Sequence, residues 1–488
     1  MTLVSLAPIV DALRHAGLLN DVRGTLPQVI STVSDDSRAM KPGALFLAVR
    51  GAERDGHDYL DAAAAAGAIA ALVADPSRTH LPALVVTDTR RAAAVVAAAY
   101  HGFPARRLRL VGVTGTNGKT TTVGMLRHLL DGEKERAASI GTLGVLIGSD
   151  GVEMDGGGGL TTPGPVELQR VLRVLLDAGV GTVAMETSSH ALHQRRVEGL
   201  RFDAGVFTNL TRDHLDYHVT MEAYLAAKAL LVPLLAERGA AVVNADDPAW
   251  ASLPAAPRTI RFGLERDADV KATDVRFSPR GSEWTLDVAG DRHPVVLPLI
   301  GDFNVANALA AAAAAVALGM PAAAVASRLS SMPQVPGRLE ILHESPTVLR
   351  DYAHTPDALE RALAAVRPFT EGKLTVVFGC GGDRDRGKRP EMGRAAEAGA
   401  DRAIVTSDNP RTEDPERILD DIEAGMTQAH ERIEDRRTAI ARAIADAGAG
   451  DVILLAGKGH ETYQIRGTVK HPFDERAIVR EIIAGGAT

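Results

Sequence analysis

The segment VGVTGTNGKTTT, Val111 to Thr122, constrains this chain more than any other stretch. An apolar run from Leu108 to Val113 reads as a buried strand that stops at a glycine-bearing turn. From Thr120 to Leu130, Val123, Leu126 and Leu130 recur at helical spacing, and Gly132 is a natural stop. Strand, glycine loop, Gly-Lys-Thr and helix are the parts of a phosphate-binding loop. Glycines let backbone N–H groups close around phosphate oxygens, and the helix N-terminus adds the positive end of its dipole. Lys119 would reach the β- and γ-phosphates, and the Thr120 hydroxyl would ligate Mg2+. The first glycine of the usual G-x-x-x-x-G-K-[ST] pattern falls on Val113, with Gly112 and Gly115 on either side. An ordinary strand–turn–helix junction is the competing reading, and Gly118-Lys119-Thr120 at the helix start favours ATP or GTP over it. The motif leaves open what the phosphoryl group is for.

A chain of 488 residues is expected to form about two to four domains. Hydrophobic content of 45% with 24% charged residues fits a soluble globular protein. The net charge of -8 argues against nucleic acid as a partner, so anionic ligands must be held by local basic groups. Cys380 is the only cysteine, which excludes internal disulfides and suits a reducing cytoplasm. The first residues lack a basic n-region, and Asp11 and Arg14 interrupt them, so no signal peptide is expected. The uncharged stretch Asn307 to Ala326 is mostly alanine, broken by Gly319 and Pro321, and reads as a packed helix rather than a membrane span.

Residues 1–105 alternate short strands with alanine-rich helices, and Asp36-Ser37-Arg38 by itself is a polar turn. Residues 106–335 continue in βα alternation. Thr182 to Met185 is a strand delivering Glu186 at its carboxyl end, Ala204 to Phe207 leads into Asn209 and the polar run Thr211 to His218, and Ala241 to Val243 is a third strand. This pattern predicts a parallel sheet covered on both faces, with ligands at the strand carboxyl ends. Glu186, His214 and the Gly115–Thr120 loop all fall there. A hairpin-like insertion, Ser282 to Leu299, precedes GDFNVANALAAAAA, where Asn304 and Asn307 lie at a helix start.

Pro333, Pro336 and Gly337 mark a linker, and alternation resumes to residue 488. Three strands run into polar turns: Leu374–Phe378 into GCGGDRDRGKRP, Ala403–Thr406 into SDNPRTEDP, and Val452–Leu455 into AGKGHE. They suggest a second ligand surface. Gly457-Lys458-Gly459 is not a second phosphate loop, since no Ser or Thr follows a Gly-Lys pair; a solvated turn reads equally well.

Glu186 beside a phosphate loop suits Mg2+, which takes hard oxygen ligands, with a solvated strand-end acid as the alternative. From spacing alone His214 reads equally as a surface histidine, and Lys228, on a helix expected over Met221 to Leu231, reads as a solvent-facing lysine.

The ordered set GTNGKTTT, METSSHAL, FTNLTRDHLDYH, YLAAK, GDFNVANALAA, DYAHTPDAL, CGGDRDRGKRP, SDNPRTEDP and GKGHE resembles the Mur ligase family across nearly the whole chain. Among its members, the motifs are most like those of ligases that add diaminopimelate to a muramoyl-dipeptide during peptidoglycan synthesis. The resemblance implies an α/β protein of three domains. A central P-loop parallel-sheet ATPase domain (106–335) would be flanked by an N-terminal α/β uridine-binding domain (1–105) and a C-terminal Rossmann-like domain that binds the amino acid (336–488). It implies that Gly115, Thr116, Asn117, Gly118, Lys119, Thr120 and Thr121 bind ATP, with Asn304 near adenine and Arg338 and Asp351 closing over the nucleotide. Ser37, Thr161, Thr162, Ser188, Gln194 and Arg196 match contacts to UDP-N-acetylmuramoyl-L-Ala-D-Glu. Lys228 matches a lysine carbamylated by CO2, turning a cation into an oxygen donor that would join Glu186 and His214 around a second Mg2+, the first being held by Thr120 and Glu186. Lys119, Glu186, His214 and Lys228 form the implied catalytic set.

Arg384, Asp408, Asn409, Pro410, Arg411, Gly457 and Glu461 match diaminopimelate contacts. A guanidinium at Arg411 suits the distal carboxylate that lysine lacks, and Glu461 suits the distal ammonium. The implied reaction is phosphorylation of the D-Glu γ-carboxylate followed by attack of the diaminopimelate amine, the meso isomer being expected, with domain closure excluding water. The protein is expected to be a cytoplasmic monomer with no nucleic-acid partner and no membrane span. A lysine or ornithine ligase, folylpolyglutamate synthetase, and a nucleotide-dependent binding protein that has lost catalysis are the alternatives. Arg350 stands where the family usually has an apolar strand residue.

Overall fold

The computed structural model of the chain describes residues 3–51, 54–132, 135–157, 159–278 and 280–485. The described residues fall into two compact units. The first comprises residues 1–271, 287–291 and 307–325, and the second residues 272–286, 292–306 and 326–488.

Among the described residues, the first unit is built on two main sheets, beside a short antiparallel pair of Val4–Ser5 with Val29–Ile30. The N-terminal one has five strands in the order Leu19–Arg23, Ala83–Val86, Ala68–Val73, Ala44–Leu47 and Val33–Ser34, all parallel except the antiparallel first. Side chains alternate across it. Leu45, Leu47, Leu72, Leu84 and Val86 face one core with helices Ala7–His15 and Thr89–Tyr100, whereas Phe46, Ala71, Val73, Ala83 and Val85 face another with Leu60–Ala65. Near-continuous apolar strands follow from burial on both faces.

The larger sheet places Arg109–Thr114 between Val180–Glu186 and Phe202–Phe207. Arg136–Gly141 lies beyond the first neighbour, and Leu235–Asn244 and Arg258–Gly263 beyond the second, all parallel. Gly144–Ile147 and Val152–Met154 add an antiparallel edge. The chain moves outward on one side of Arg109–Thr114 and then on the other, so this strand is the topological switch point, where open α/β sheets bind ligands. Register brings the carboxyl ends level: Glu186 pairs with Val113, and Phe207 with Thr114. The expected strands are therefore present: the one expected at Leu108–Val113 is shifted by one residue, and the other three extend beyond their apolar runs.

The second unit contains a six-stranded sheet ordered Glu340–Glu344, Thr347–Asp351, Val452–Ala456, Leu374–Phe378, Arg402–Val405 and Glu431–Arg432, parallel after the first strand. Its two faces carry separate apolar cores. Arg350, in the second of these strands, is buried because its guanidinium meets Glu340 at 2.6 Å. No helix among the described residues is long and apolar enough to cross a membrane.

Candidate functional site

The strand Arg109–Thr114 delivers the chain into a loop that ends at the N-cap of helix Lys119–Leu130. Glycine is required at two points there. Gly118 adopts φ +84° against the Asn307 side-chain oxygen, and Gly115 adopts φ +145° where a Cβ would run into the Thr208 hydroxyl. The loop is braced from the next strand end. The Thr116 N–H donates to the Asn209 carbonyl (2.7 Å), the Asn117 N–H to Asn209 Oδ1 (2.9 Å), and the Thr208 hydroxyl to the Asn117 carbonyl (2.7 Å).

Two lysines converge on this loop. Lys119 Nζ donates to the carbonyls of Gly115 (3.0 Å) and Thr116 (2.8 Å), and Lys228 Nζ donates to the same Gly115 carbonyl (2.7 Å). Lys228 lies on helix Met221–Ala229, is 1% exposed, and sits 4.3 Å from the centroid of the Tyr224 ring. Burial first, and then repulsion from Lys119, pushes its ammonium well below the usual lysine range against the opposing pull of Asp213. The solvent-facing reading of Lys228 is thus corrected, because the apolar packing of its helix places the lysine inward. His214, at φ +54° before the single turn Leu215–His218, feels both lysines; burial and their charges lower its pKa despite Asp213 at 3.4 Å.

Glu186 is 1% exposed. Its Oε1 accepts from the Thr120 hydroxyl (2.9 Å) and the Thr142 N–H (2.8 Å), and its Oε2 from the Thr142 hydroxyl (3.2 Å). The Thr142 hydroxyl also reaches Thr161 Oγ1 at 3.3 Å. The Thr162 hydroxyl donates to the Glu186 carbonyl (2.8 Å) and accepts the Ser188 N–H (3.1 Å). Arg196 donates to the Thr162 carbonyl (3.0 Å) and, through Nε and Nη2, to Gln194 Oε1 (3.0 and 2.6 Å). Residues from the loop through Thr161, Thr162, Ser188, Gln194 and Arg196 therefore form one connected polar surface around Glu186.

Several members of that surface were not singled out by sequence reasoning. Tyr217 OH takes His193 Nδ1 (2.9 Å) and Gln194 Nε2 (3.2 Å), and His218 Nε2 meets the Ser189 hydroxyl (3.0 Å). The His190 ring lies 4.8 Å from that of His214 and 4.2 Å from that of Tyr217. Burial first holds both His190 and His218 down to about 4. Their concentration in METSSHAL and DHLDYH was the available signal. Ser37 lies elsewhere in this unit, opening a short turn after strand Val33–Ser34 in which Asp36 pairs with Arg38 at 2.8 Å.

In the second unit, strand carboxyl ends again gather the marked residues. Asp408–Arg411 follows Arg402–Val405, and Gly457–Glu461 follows Val452–Ala456. Asn409 Nδ2 donates to Glu461 Oε2 at 2.8 Å. Arg411, at φ +52°, donates from Nη1 to the Gly382 carbonyl (2.8 Å); its Nε and Nη2 have no acceptor among the described residues. Arg384 Nη1 donates to the Asp383 carbonyl at 2.9 Å. Lys458, for which a solvated turn and a ligand-surface position read equally well from spacing, is fully buried. Asp351 accepts the Leu339 N–H (2.7 Å) and the Ala353 N–H (2.8 Å), tying the segment before strand Glu340–Glu344 to the turn that follows Asp351, while the Arg338 guanidinium lies 4.8 Å from the Tyr352 ring centroid. Burial raises the Asp351 carboxyl, opposed by Arg338 and these N–H groups. Asn304 is buried with its amide donating to the Ile300 carbonyl (2.8 Å).

Among the described residues, no ready group of three or more His, Cys, Asp or Glu side chains is arranged to hold a metal ion. The hydroxyl of Thr120 against the carboxylate of Glu186 is a hard oxygen pair of the kind Mg2+ takes, with His214 and Lys228 near the same loop.

Three family models match the chain: "Mur ligase family, catalytic domain" over residues 29–111, "Mur ligase middle domain" over 113–315, and "Mur ligase, glutamate ligase domain" over 337–459. A UDP-N-acetylmuramoyl-L-alanyl-D-glutamate–2,6-diaminopimelate ligase of Geobacillus thermodenitrificans is 45% identical, over 94% of this chain and 96% of its own length. The ligase of the same name from Gloeobacter violaceus is 46% identical, over 97% of each. A solved structure of a ligase of that name covers both chains fully at 34% identity and a TM-score of 0.69. A folylpolyglutamate synthase of Mycobacterium tuberculosis, solved with ADP and AMPPCP, shares the fold over 75% of this chain and 92% of its own at a TM-score of 0.61 and 19% identity.

Proposed function

The chain belongs to the Mur ligase family, and from that premise we propose how its residues carry out the family's reaction. It is an ATP-dependent, amide-bond-forming ligase that adds 2,6-diaminopimelate to UDP-N-acetylmuramoyl-L-Ala-D-Glu in peptidoglycan precursor synthesis. The finer reading is that it takes the meso isomer and works in the cytoplasm. We assign residues 1–105 to the uridine end of the substrate, 106–335 to ATP and 336–488 to the amino acid.

The observation carrying this reading is the convergence of Lys119 and Lys228 on the Gly115 carbonyl, beside a helix N-terminus and next to Glu186. Such a site attracts polyanions and would hold the γ-phosphate where a carboxylate can approach it. An oxygen of the D-Glu γ-carboxylate forms a bond to the γ-phosphorus as the bond to the bridging oxygen breaks, releasing ADP and leaving an acyl phosphate. The amine of diaminopimelate then attacks the acyl carbon, phosphate departs with the C–O bond, and the nitrogen loses its proton. Lys119 would neutralise charge between the two anions. Thr162, Ser188, Gln194 and Arg196 would orient the muramoyl-dipeptide, and Ser37 its uridine end. Asn304, Arg338 and Asp351 would secure the nucleotide. Arg411 has a guanidinium edge open for the distal carboxylate, with Arg384, Asp408, Asn409, Pro410, Gly457 and Glu461 around the amino acid.

Thr120 and Glu186 would hold one Mg2+, and Glu186 and His214 with Lys228 as its carbamate a second; bound there, the ions would supply positive charge to the phosphates. The depressed pKa of Lys228 supports the modification, since CO2 reacts with the unprotonated amine. The test is isotopic. With 18O in the D-Glu γ-carboxylate, one labelled oxygen is expected in the released phosphate, whereas unlabelled phosphate would rule out the acyl phosphate.

A further inference from the structure

Lys458 lies between two glycines, in a pattern that suits a solvated turn equally well, yet its side chain is fully buried. Nζ donates to Asn409 Oδ1 at 3.1 Å and to Glu461 Oε2 at 3.2 Å. Asn409 closes the ring, its Nδ2 donating to the same Glu461 oxygen at 2.8 Å. Glu461 Oε2 is thus taken twice, while Oε1 has no partner among the described residues. The orientation of the Asn409 amide is fixed independently, because Oδ1 also accepts the Ile465 N–H at 2.9 Å.

Ile465 belongs to a hairpin, Tyr463–Arg466 with Val469–Pro472, that grips the neighbouring loop at further points. The Arg411 N–H donates to the Ile465 carbonyl (3.0 Å), the Gly467 N–H donates to the Arg411 carbonyl (2.7 Å), and Gln464 Nε2 donates to the Asp408 carbonyl (2.8 Å). A buried ammonium beside a carboxylate both neutralises it and fixes which of its oxygens faces outward.

We infer that Lys458 is a positioning residue for amino-acid selection: with Asn409 it fixes Glu461 so that Oε1 meets the distal ammonium while Arg411 meets the distal carboxylate. This inference rests on the diaminopimelate activity described above. Lys458 itself touches no substrate.

Steady-state kinetics of the full chain, with each substrate varied in turn, test it. Lys458→Met is expected to raise KM for diaminopimelate about 10- to 100-fold, the effect of losing a hydrogen bond to a charged group, with KM for ATP and for the UDP-dipeptide unchanged. Because Lys458 acts through Glu461, the same change made in Glu461→Gln is expected to add little. Where Lys458→Met fails to fold, Lys458→Gln, which keeps a donor without the charge, is expected to show the same selective rise in smaller degree. An unchanged KM for diaminopimelate, a rise shared by all three substrates, or full additivity with Glu461→Gln would overturn the inference and leave the activity standing. Wild-type protein that turns over with lysine but not with diaminopimelate would overturn the activity, and this inference with it.

Discussion

Lys119 and Lys228 donate to one carbonyl oxygen, yet their environments assign them different work. Lys119 starts a helix and is held by its own loop, from which it can turn to a phosphate. Replacing it with alanine is expected to lower kcat by about 10²- to 10³-fold, the loss seen when one preorganised charge donor is removed. Lys228 has a folded pKa below its ordinary 10.5, so between those two values the unfolded chain binds the extra proton. Stability therefore rises with pH across that window. In CO2-free buffer, denaturant midpoints of wild type relative to Lys228→Met are expected to climb from pH 7 towards 10. A flat difference would place the amine in a water-like setting. The sequence alone disclosed Lys119, because Gly-Lys-Thr at a helix start has a backbone meaning. Spacing could not disclose the burial of Lys228 or Lys458, which depends on Gly115 and Asn409, far away along the chain; Lys228 was marked only by the match of YLAAK to the family.

At the scale of elements, the phosphate loop is a fixed shape clamped from the following strand end. Gly115→Ala sets a methyl group against the Thr208 hydroxyl at φ +145°, and is expected to cost about 2–4 kcal/mol and to abolish nucleotide binding, read by denaturation and calorimetry. The histidine-bearing segments make an opposite kind of element, neutral by burial. His190 and His218 are held at about 4, so the unfolded chain takes up protons first as pH falls below 6.5. Stability is expected to fall between pH 6.5 and 4, and His218→Gln to flatten part of that slope in pH-dependent melts. The strands were readable from apolar runs because their sheets are buried on both faces. The clustering of His190, His214, Tyr217 and His218 was not, since it arises where two separate strand ends meet.

Across the whole molecule, the two units each have apolar cores, so calorimetric unfolding is expected to show more than one transition, with ADP raising the one that contains the phosphate loop. The order of motifs carried the family and the reaction. The central claim is that this fold joins diaminopimelate to the dipeptide, and one assay tests it most directly. Phosphate release would be followed with ATP, Mg2+ and UDP-N-acetylmuramoyl-L-Ala-D-Glu, adding meso-diaminopimelate, LL-diaminopimelate, lysine or ornithine in parallel, for wild type and Arg411→Ala. Release with meso-diaminopimelate, lost in Arg411→Ala, is the expected result. Release with lysine or ornithine in its place, or release that needs no amino acid at all, would contradict the account.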